Sequence, residues 1–254
     1  MEFDDEIKKT MIVTKENGYI KAVINRQNKK NAINAMHLKY LSSIMESSIK
    51  DDSIKAFYIT GEGEFFTSGN DFNNFVSQTK DEMANGFKNF IEFLMDYPKL
   101  LVAGVNGTCI GMGFTMLMHF DIVLCTESAI FLTPFIQTFQ VPEGTSSYMF
   151  PKIFGKLAAH ILYSGQPINS EEAKTSGLVT RVFDNDSFKS NAEEYVENVC
   201  KNPLRLLVLY KKMITKHEKE HLKKVNTEEC IELRNSWEHK EFQDIIKKFV
   251  KTKF

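Results

Sequence analysis

Twice in its first 105 residues the chain follows an amphipathic helical stretch with a short run of almost uninterrupted apolar residues, and that succession leaves few folds open. The first run is Ala56 to Thr60, ending at Gly61, and the second is Leu100 to Val105, behind Pro98. Such runs are short for helices and suit strands covered on both faces, as in parallel sheets whose crossovers are helices. The helix before the first run starts at a capping Asn34 and repeats Leu38, Leu41, Ile44, Met45 and Ile49 on one face. The helix before the second opens with a Thr79/Glu82 capping box and carries Met83, Phe87, Phe90, Ile91 and Leu94. Each is a β-α-β unit. Ahead of both, Met11 to Val13 and Tyr19 to Ile24 flank an Asn17-Gly18 turn and read as a hairpin.

Beyond these units, Gly107 to Phe120 mixes glycine with apolar residues, which predicts a short helix packed closely on sheet before the strand Ile122 to Cys125. From about Phe188 the pattern is helical, interrupted at Pro203 and ending with Glu241 to Val250. The reading is an α/β body over 1–190 and a C-terminal helical region over 191–254. The pairs Lys211-Lys212, Lys223-Lys224 and Lys247-Lys248 read as solvated helix faces. A formal charge of -1 gives no global field to draw nucleic acid or anionic lipid, so an anionic ligand has to meet local cations. No apolar run approaches the ~18 residues that span a bilayer, and neither partner, nucleic acid or membrane, is expected. Cys109, Cys125, Cys200 and Cys230 are widely spaced without a CxxC, as in a reduced, intracellular protein. The start, Met1 to Glu6, is too acidic for a secretory signal or transit peptide, and Thr252-Lys253-Phe254 shares only its lysine with a peroxisomal Ser-Lys-Leu signal.

One formal motif points elsewhere. His217-Glu218-Lys219-Glu220-His221 satisfies both H-E-x-x-H and H-x-x-E-H, a spacing that puts two imidazoles on one helix face. Its flanks, Lys211-Lys212, Lys216 and Lys223-Lys224, make it an exposed, solvated helix instead of the floor of a cleft, and no metal is expected. Nucleotide loops of the G-x-G-x-x-G and P-loop kinds are absent.

Three segments carry the chemistry: Phe65 to Phe72, with Ser68-Gly69-Asn70-Asp71 at its centre; Ala103 to Gly113, ending Gly111-Met112-Gly113; and Pro142 to Ser147, with Glu143-Gly144. The first two are glycine-bearing bends beside strand ends, where backbone N–H groups can turn outward with no side chain blocking approach, the construction of an oxyanion hole. Alone, each also suits an ordinary strand-to-helix turn.

Together they resemble the crotonase (enoyl-CoA hydratase/isomerase) family over nearly the whole chain, closest to the Δ3,Δ2-enoyl-CoA isomerase branch through Phe66 to Asp71 and Pro142 to Tyr148. Asn25-Arg26 with Asn31-Ala32 is similar to the family's early CoA-contacting segment, with Gln27 where proline is usual. The resemblance implies a crotonase fold, a spiral of β-β-α units with a C-terminal helical region, assembled as a homotrimer. It implies an acyl-CoA substrate and no cofactor, CoA being part of the substrate, and a peroxisomal or mitochondrial setting without a clear targeting signal. Carried over by position, the oxyanion donors are the backbone N–H groups of Asn70 and Met112, and the base is Glu143. Substrate contacts fall on Arg26, Lys29, Ala32, Ser68, Gly69, Asp71, Phe72, Gly111 and Phe135. The two glutamates with which hydratases add water fall on Thr115 and Phe135, which disfavours hydration.

One carboxylate suffices for moving a double bond from C3 to C2, because the same base takes a proton from C2 and returns it to C4. Beside aromatic residues its proton affinity is expected to rise. Phe72, Phe75, Phe114, Phe131, Phe135 and Phe139 are candidates for an acyl pocket, with core packing as the alternative. Lys29, Lys30, Lys247, Lys248 and Lys251 are candidates for the CoA phosphates. The rival reading is a catalytically silent acyl-CoA-binding or scaffold domain, which has no use for Glu143.

Overall fold

The computed structural model describes residues 3–251; Met1, Glu2 and the Thr252-Lys253-Phe254 end lie outside the described residues. A short helix α1 (Asp5–Thr10), capped by the Asp4 carboxylate on the Ile7 amide at 2.9 Å, leads into β1 (Met11–Lys15) and β2 (Tyr19–Ile24), the antiparallel hairpin. The chain then winds in repeating turns. The first is α2 (Ala35–Ile49), β3 (Ala56–Gly61) and β4 (Phe65–Thr67). The second is α3 (Asn74–Ser77), α4 (Lys80–Asp96), β5 (Leu100–Val105) and β6 (Thr108–Ile110). The third is α5 (Met112–Thr115), β7 (Ile122–Thr126) and β8 (Ile130–Leu132). After it come α6 (Ser146–Phe154), α7 (Leu157–Ala159), β9 (Ile168–Asn169), α8 (Ser170–Thr175) and β10 (Arg181–Phe183). Four helices finish the fold: α9 (Phe188–Cys200), α10 (Leu204–Thr215), α11 (Lys219–Ser236) and α12 (Lys240–Lys251). The division placed at 190/191 falls inside α9.

Each full turn gives one strand to a large sheet, ordered β1-β2-β3-β5-β7-β10, and one to a small sheet, ordered β4-β6-β8-β9. Apart from β1–β2 and β8–β9, all pairings are parallel. The uninterrupted apolar runs follow from burial on both faces. Phe57, Ile59, Leu101 and Ala103 enter the main core with Leu41 and Met45 of α2 and Phe87, Phe90 and Ile91 of α4. Their alternating neighbours Tyr58, Leu100 and Val102 pack against Phe188, Ala192 and Val196 of α9. Both expected helix caps form: the Asn34 side chain accepts the His37 amide, and Thr79 and Glu82 bond reciprocally. All four cysteines are buried free thiols. No helix among the described residues is long and apolar enough to cross a membrane.

Two readings of charged segments are corrected. Lys211 is not on a solvated face: it is 7% exposed, and its ammonium bonds the Lys99 carbonyl at 2.9 Å and the Asp121 carboxylate at 2.8 Å. The partner lies ninety residues upstream, so helical spacing alone does not reveal it. His217 and His221 do not share one helix: α10 ends at Thr215, α11 begins at Lys219, and a turn separates them. His221 instead packs its ring against Tyr148, with centroids 4.6 Å apart. Among the described residues no group of three or more His, Cys, Asp or Glu side chains is arranged to hold a metal.

Replacing Lys211 with Met removes a buried cation and leaves the Lys99 carbonyl and Asp121 short of a donor. Urea denaturation is expected to register a loss of about 2–4 kcal/mol, and a loss below about 0.5 kcal/mol, the usual range for exposed positions, would place Lys211 back on the surface.

Candidate active site

The small sheet assembles the site. Thr67 pairs with Cys109 and Ile110 with Leu132 in parallel register, so the segments that leave β4, β6 and β8 emerge on the same side. The first two are the glycine bends. Gly69 has φ +86°, and a Cβ there would lie 2.8 Å from the Ile110 carbonyl oxygen and 3.6 Å from the Met112 nitrogen, so the bends abut and the position tolerates only glycine. Ile33 bridges to the first bend by receiving the Asp71 amide on its carbonyl and donating its own amide to the Gly69 carbonyl, both at 2.8 Å. In such a parallel bridge the intervening residue, Asn70, turns its own N–H the other way. In the second bend Gly111, at φ +58°, ψ -126°, starts α5, and the Phe114 and Thr115 amides both return to the Gly111 carbonyl. Met112 is the first residue of that helix, where an N–H has no intrahelical acceptor. Neither the Asn70 nor the Met112 amide donates to any of the described residues.

Glu143 is buried, 5% exposed, in the loop before α6. The Thr115 hydroxyl donates to its Oε1 at 2.8 Å, while its own amide donates to the Ser146 hydroxyl at 3.1 Å. Thr115 thus serves as a hydrogen-bond donor to the buried carboxylate. Burial pushes Glu143 up to about 8, against the Thr115 hydrogen bond, and the like charge of Glu229 adds to the rise. The loop is strained at Thr145, a non-glycine residue at φ +73°, while Gly144 before it adopts φ +66° freely. It is held by His119, whose Nε2 lies 3.0 Å from the Gly144 carbonyl, and by Glu229, which takes the Thr145 and Ser147 amides. Since a carbonyl only accepts, Nε2 of His119 carries the proton, and burial lowers this imidazole to about 4, leaving it neutral.

The expected substrate residues divide. Arg26 and Asp71 pair with each other at 2.6 Å, and Arg26 also donates to the Ala32 carbonyl at 3.0 Å. Together they clip the 26–33 loop to the segment after Gly69, which makes them positioning groups for the Asn70 turn. Ser68 lies over the Lys29 carbonyl at 3.5 Å. Lys29 is half-buried and Lys30 exposed, and the Lys251 side chain lies outside the described residues. Of the aromatic candidates, Phe114 and Phe131 are fully buried core, packed with Phe150 and Phe154. Phe72 and Phe75 join Val141 against Trp237 and Phe242, an apolar wall running from the Asn70 turn to the Glu143 loop. Phe135 is buried and Phe139 exposed. A separate cleft of about 530 Å3 between α4, α10 and α11 includes His119 among its lining residues but none of Asn70, Met112 or Glu143.

Sequence reasoning did not find His119 or Glu229. The signal for Glu229 was present: on α11, Asn226, Glu229, Cys230 and Leu233 form one buried stripe, so a carboxylate sits in the helix's apolar seam.

Two sheets wound as a spiral, with two outward amides and a buried carboxylate, define a crotonase-fold protein. The enoyl-CoA hydratase/isomerase family model matches residues 14–254, and the chain belongs to that family. It is 37% identical to enoyl-CoA delta isomerase 2 of Rattus norvegicus over 96% of this chain and 64% of that protein. It is 36% identical to the peroxisomal enoyl-CoA delta isomerase 3 of Mus musculus over 95% of this chain and 78% of that protein. The chain therefore spans just under two thirds of the rat relative's length. A crystal structure of enoyl-CoA hydratase/isomerase from Pseudoalteromonas atlantica T6c superposes with a TM-score of 0.89 at 30% identity, covering 97% of this chain and 98% of that one.

A carboxyl group that holds its proton to about 8 when folded costs stability at high pH. The unfolded chain releases that proton near its ordinary value, so this contribution turns against folding as pH rises from about 4.5 to 8. Glu143→Gln is therefore expected to be more stable than the parent at pH 9 and to lose that advantage near pH 4.5. Paired urea melts at the two pH values check it, and a pH-independent difference contradicts a raised Glu143.

Proposed function

We propose that the chain isomerises 3-enoyl-CoA, cis or trans, to 2-trans-enoyl-CoA, as in the oxidation of unsaturated acyl chains, with Glu143 as the single acid/base. The observation that carries this reading is a buried carboxylate of raised proton affinity in the loop that follows two outward-facing amides; the family resemblance adds that Thr115 and Phe135 fall where a hydrating enzyme would need carboxylates. The amides of Asn70 and Met112 receive the thioester oxygen. Glu143 removes a proton from C2, the electrons of that C–H bond pass through the dienolate to the oxygen, and the charge meets the two donors. Each is expected to contribute ~3 kcal/mol toward the transition state in a water-poor site. The same carboxyl group then returns the proton at C4, so the C=C bond moves with no net oxidation and no cofactor is required. A carboxyl that titrates near 8 suits both halves, being a stronger base than an ordinary glutamate and still an acid able to give the proton back.

The wall of Phe72, Phe75 and Val141 supports an apolar acyl chain beside Glu143, and Lys29 and Lys30 flank the Ser68 turn where CoA phosphates would need cations. A silent acyl-CoA-binding domain gains nothing from Glu143, because burying an ionisable carboxylate costs free energy that binding alone does not recover. The homotrimer implied by the family is supported by α10, which exposes Leu206, Leu209, Tyr210, Met213 and Ile214.

Following the rise of conjugated-thioester absorbance from 3-enoyl-CoA tests the proposal. Glu143→Gln is expected to lower kcat by about 10²–10⁴-fold with KM little changed, and in the parent kcat/KM is expected to climb with pH and level off above about 8. Near-parental turnover in the folded variant would overturn the assignment.

A second variant isolates the oxyanion donor. The Asn70 backbone amide donates to none of the described residues, so Asn70→Pro removes an outward donor without breaking a backbone hydrogen bond, while also removing the side-chain oxygen that accepts from Asn74 Nδ2 at 2.7 Å. With circular dichroism and melting showing an intact fold, kcat is expected to fall on the order of 10²–10³-fold; full activity would place the donor elsewhere.

A further inference from the structure

We propose that Glu229, on α11, is a positioning residue for Glu143: its carboxylate fixes the turn that carries the base and sets a second negative charge against that turn. The inference rests on the reading of Glu143 as the acid/base. Glu229 is 6% exposed, and its two oxygens divide between two amides of one turn, Oε2 accepting from Thr145 at 2.5 Å and Oε1 from Ser147 at 2.8 Å. These amides open α6, whose N-cap residue, Thr145, makes no side-chain capping hydrogen bond. A carboxylate from a distant helix therefore does the work of the missing cap, at the helix end that favours negative charge.

The cap acts on the catalytic turn because the turn would not hold itself. Thr145 sits in the left-handed region at φ +73°, a conformation that costs a non-glycine residue about 1–3 kcal/mol unless its surroundings enforce it. Glu229 pins the amide side of Thr145, and His119 pins the carbonyl of Gly144 before it. Between them they fix the two residues that follow Glu143.

The electrostatic part follows from what else lies nearby. His119, from the turn after α5, is neutral, since burial lowers it to about 4. Cys230, the neighbour of Glu229 on α11, is a thiol pushed up to about 12 by burial. On α4, packed against α11, Lys88 and Glu92 cancel each other in an ion pair at 2.7 Å. Among the described residues, the charge that bears on Glu143 is that of Glu229. Burial raises Glu229 too, but the hydrogen bonds from Ser147 and Thr145 oppose the rise, whereas Glu143 has the single Thr115 hydroxyl. Glu229, from α11, is thus held by two amides and Glu143 by one hydroxyl, so the proton that Glu143 takes from C2 is held more firmly until it is returned at C4.

The test titrates the full chain, without substrate, by 13C NMR of labelled glutamate carboxyl groups, the Glu143 signal being identified by its loss in Glu143→Gln. Removing the charge in Glu229→Gln is expected to lower the Glu143 midpoint by about one pH unit and kcat by roughly tenfold or more as the turn loosens. Glu229→Asp keeps the charge but withdraws it from the amides, so its midpoint is expected to stay near the parental value while kcat falls. A folded Glu229→Gln with an unchanged midpoint would overturn the proposal. If Glu229→Gln does not fold, Glu229→Asp decides: reduced kcat at a parental midpoint upholds the inference, and a parental kcat or a midpoint that drops overturns it. A midpoint shift in a chain without isomerase turnover would uphold the coupling and overturn the isomerase reading, so the two failures are separable.

Discussion

Two backbone N–H groups left without an acceptor among the described residues are an expense that most folds avoid, and much of this one is arranged to hold them so. The Asn70 amide points away because Ile33 bonds the residues on either side of it, and the Met112 amide is free because it begins a helix at a glycine. Neither condition is local. Ile33 is placed by a loop that folds around Asn31, whose side chain donates to the Glu62 and Phe65 carbonyls at 2.9 and 2.6 Å and accepts the Arg26 amide at 2.8 Å. The Arg26–Asp71 pair closes the same loop from the other side. The parallel register of the small sheet then sets the second bend against the first.

The carboxylate side of the site is governed by desolvation. Glu143 lies where water is excluded, so its charged form loses solvation that one hydroxyl only partly replaces. Its proton affinity rises as a result of position, with no change in the residue itself. The surrounding groups keep that position: a neutral imidazole and a second carboxylate hold the turn from its two ends. The C-terminal helices therefore do more than cover the spiral. α11 supplies Glu229, and α11 and α12 supply Trp237's neighbourhood and Phe242 to the apolar wall beside the site.

Much of the architecture was legible in the chain because the relevant signals are local. Asn34 and Thr79 announce their helices since capping satisfies amides within one turn, and both caps form. The apolar runs at Ala56 and Leu100 announce buried strands because both faces of the large sheet are covered. The glycine bends were visible for a related reason, the backbone at Gly69 and Gly111 being closed to other residues by its φ and ψ. The charged segments misled. Lys211 looked like its solvated neighbour Lys212, and the His217/His221 spacing assumed one continuous helix where the structure has a junction.

By itself, then, the sequence determined the succession of strands and helices, the caps, the glycine bends and the residue type at position 143, all properties of neighbouring residues along one strand or helical turn. Only the tertiary structure decided which carboxyl groups meet, which cation is buried and which amides stay unpaired. Glu229 lies eighty-four residues from Thr145 and Lys211 ninety from Asp121. Pairings at such separations depend on how the spiral stacks, because a charged side chain on a helix is solvated or buried according to what packs against that face, and local periodicity carries no record of the opposing element.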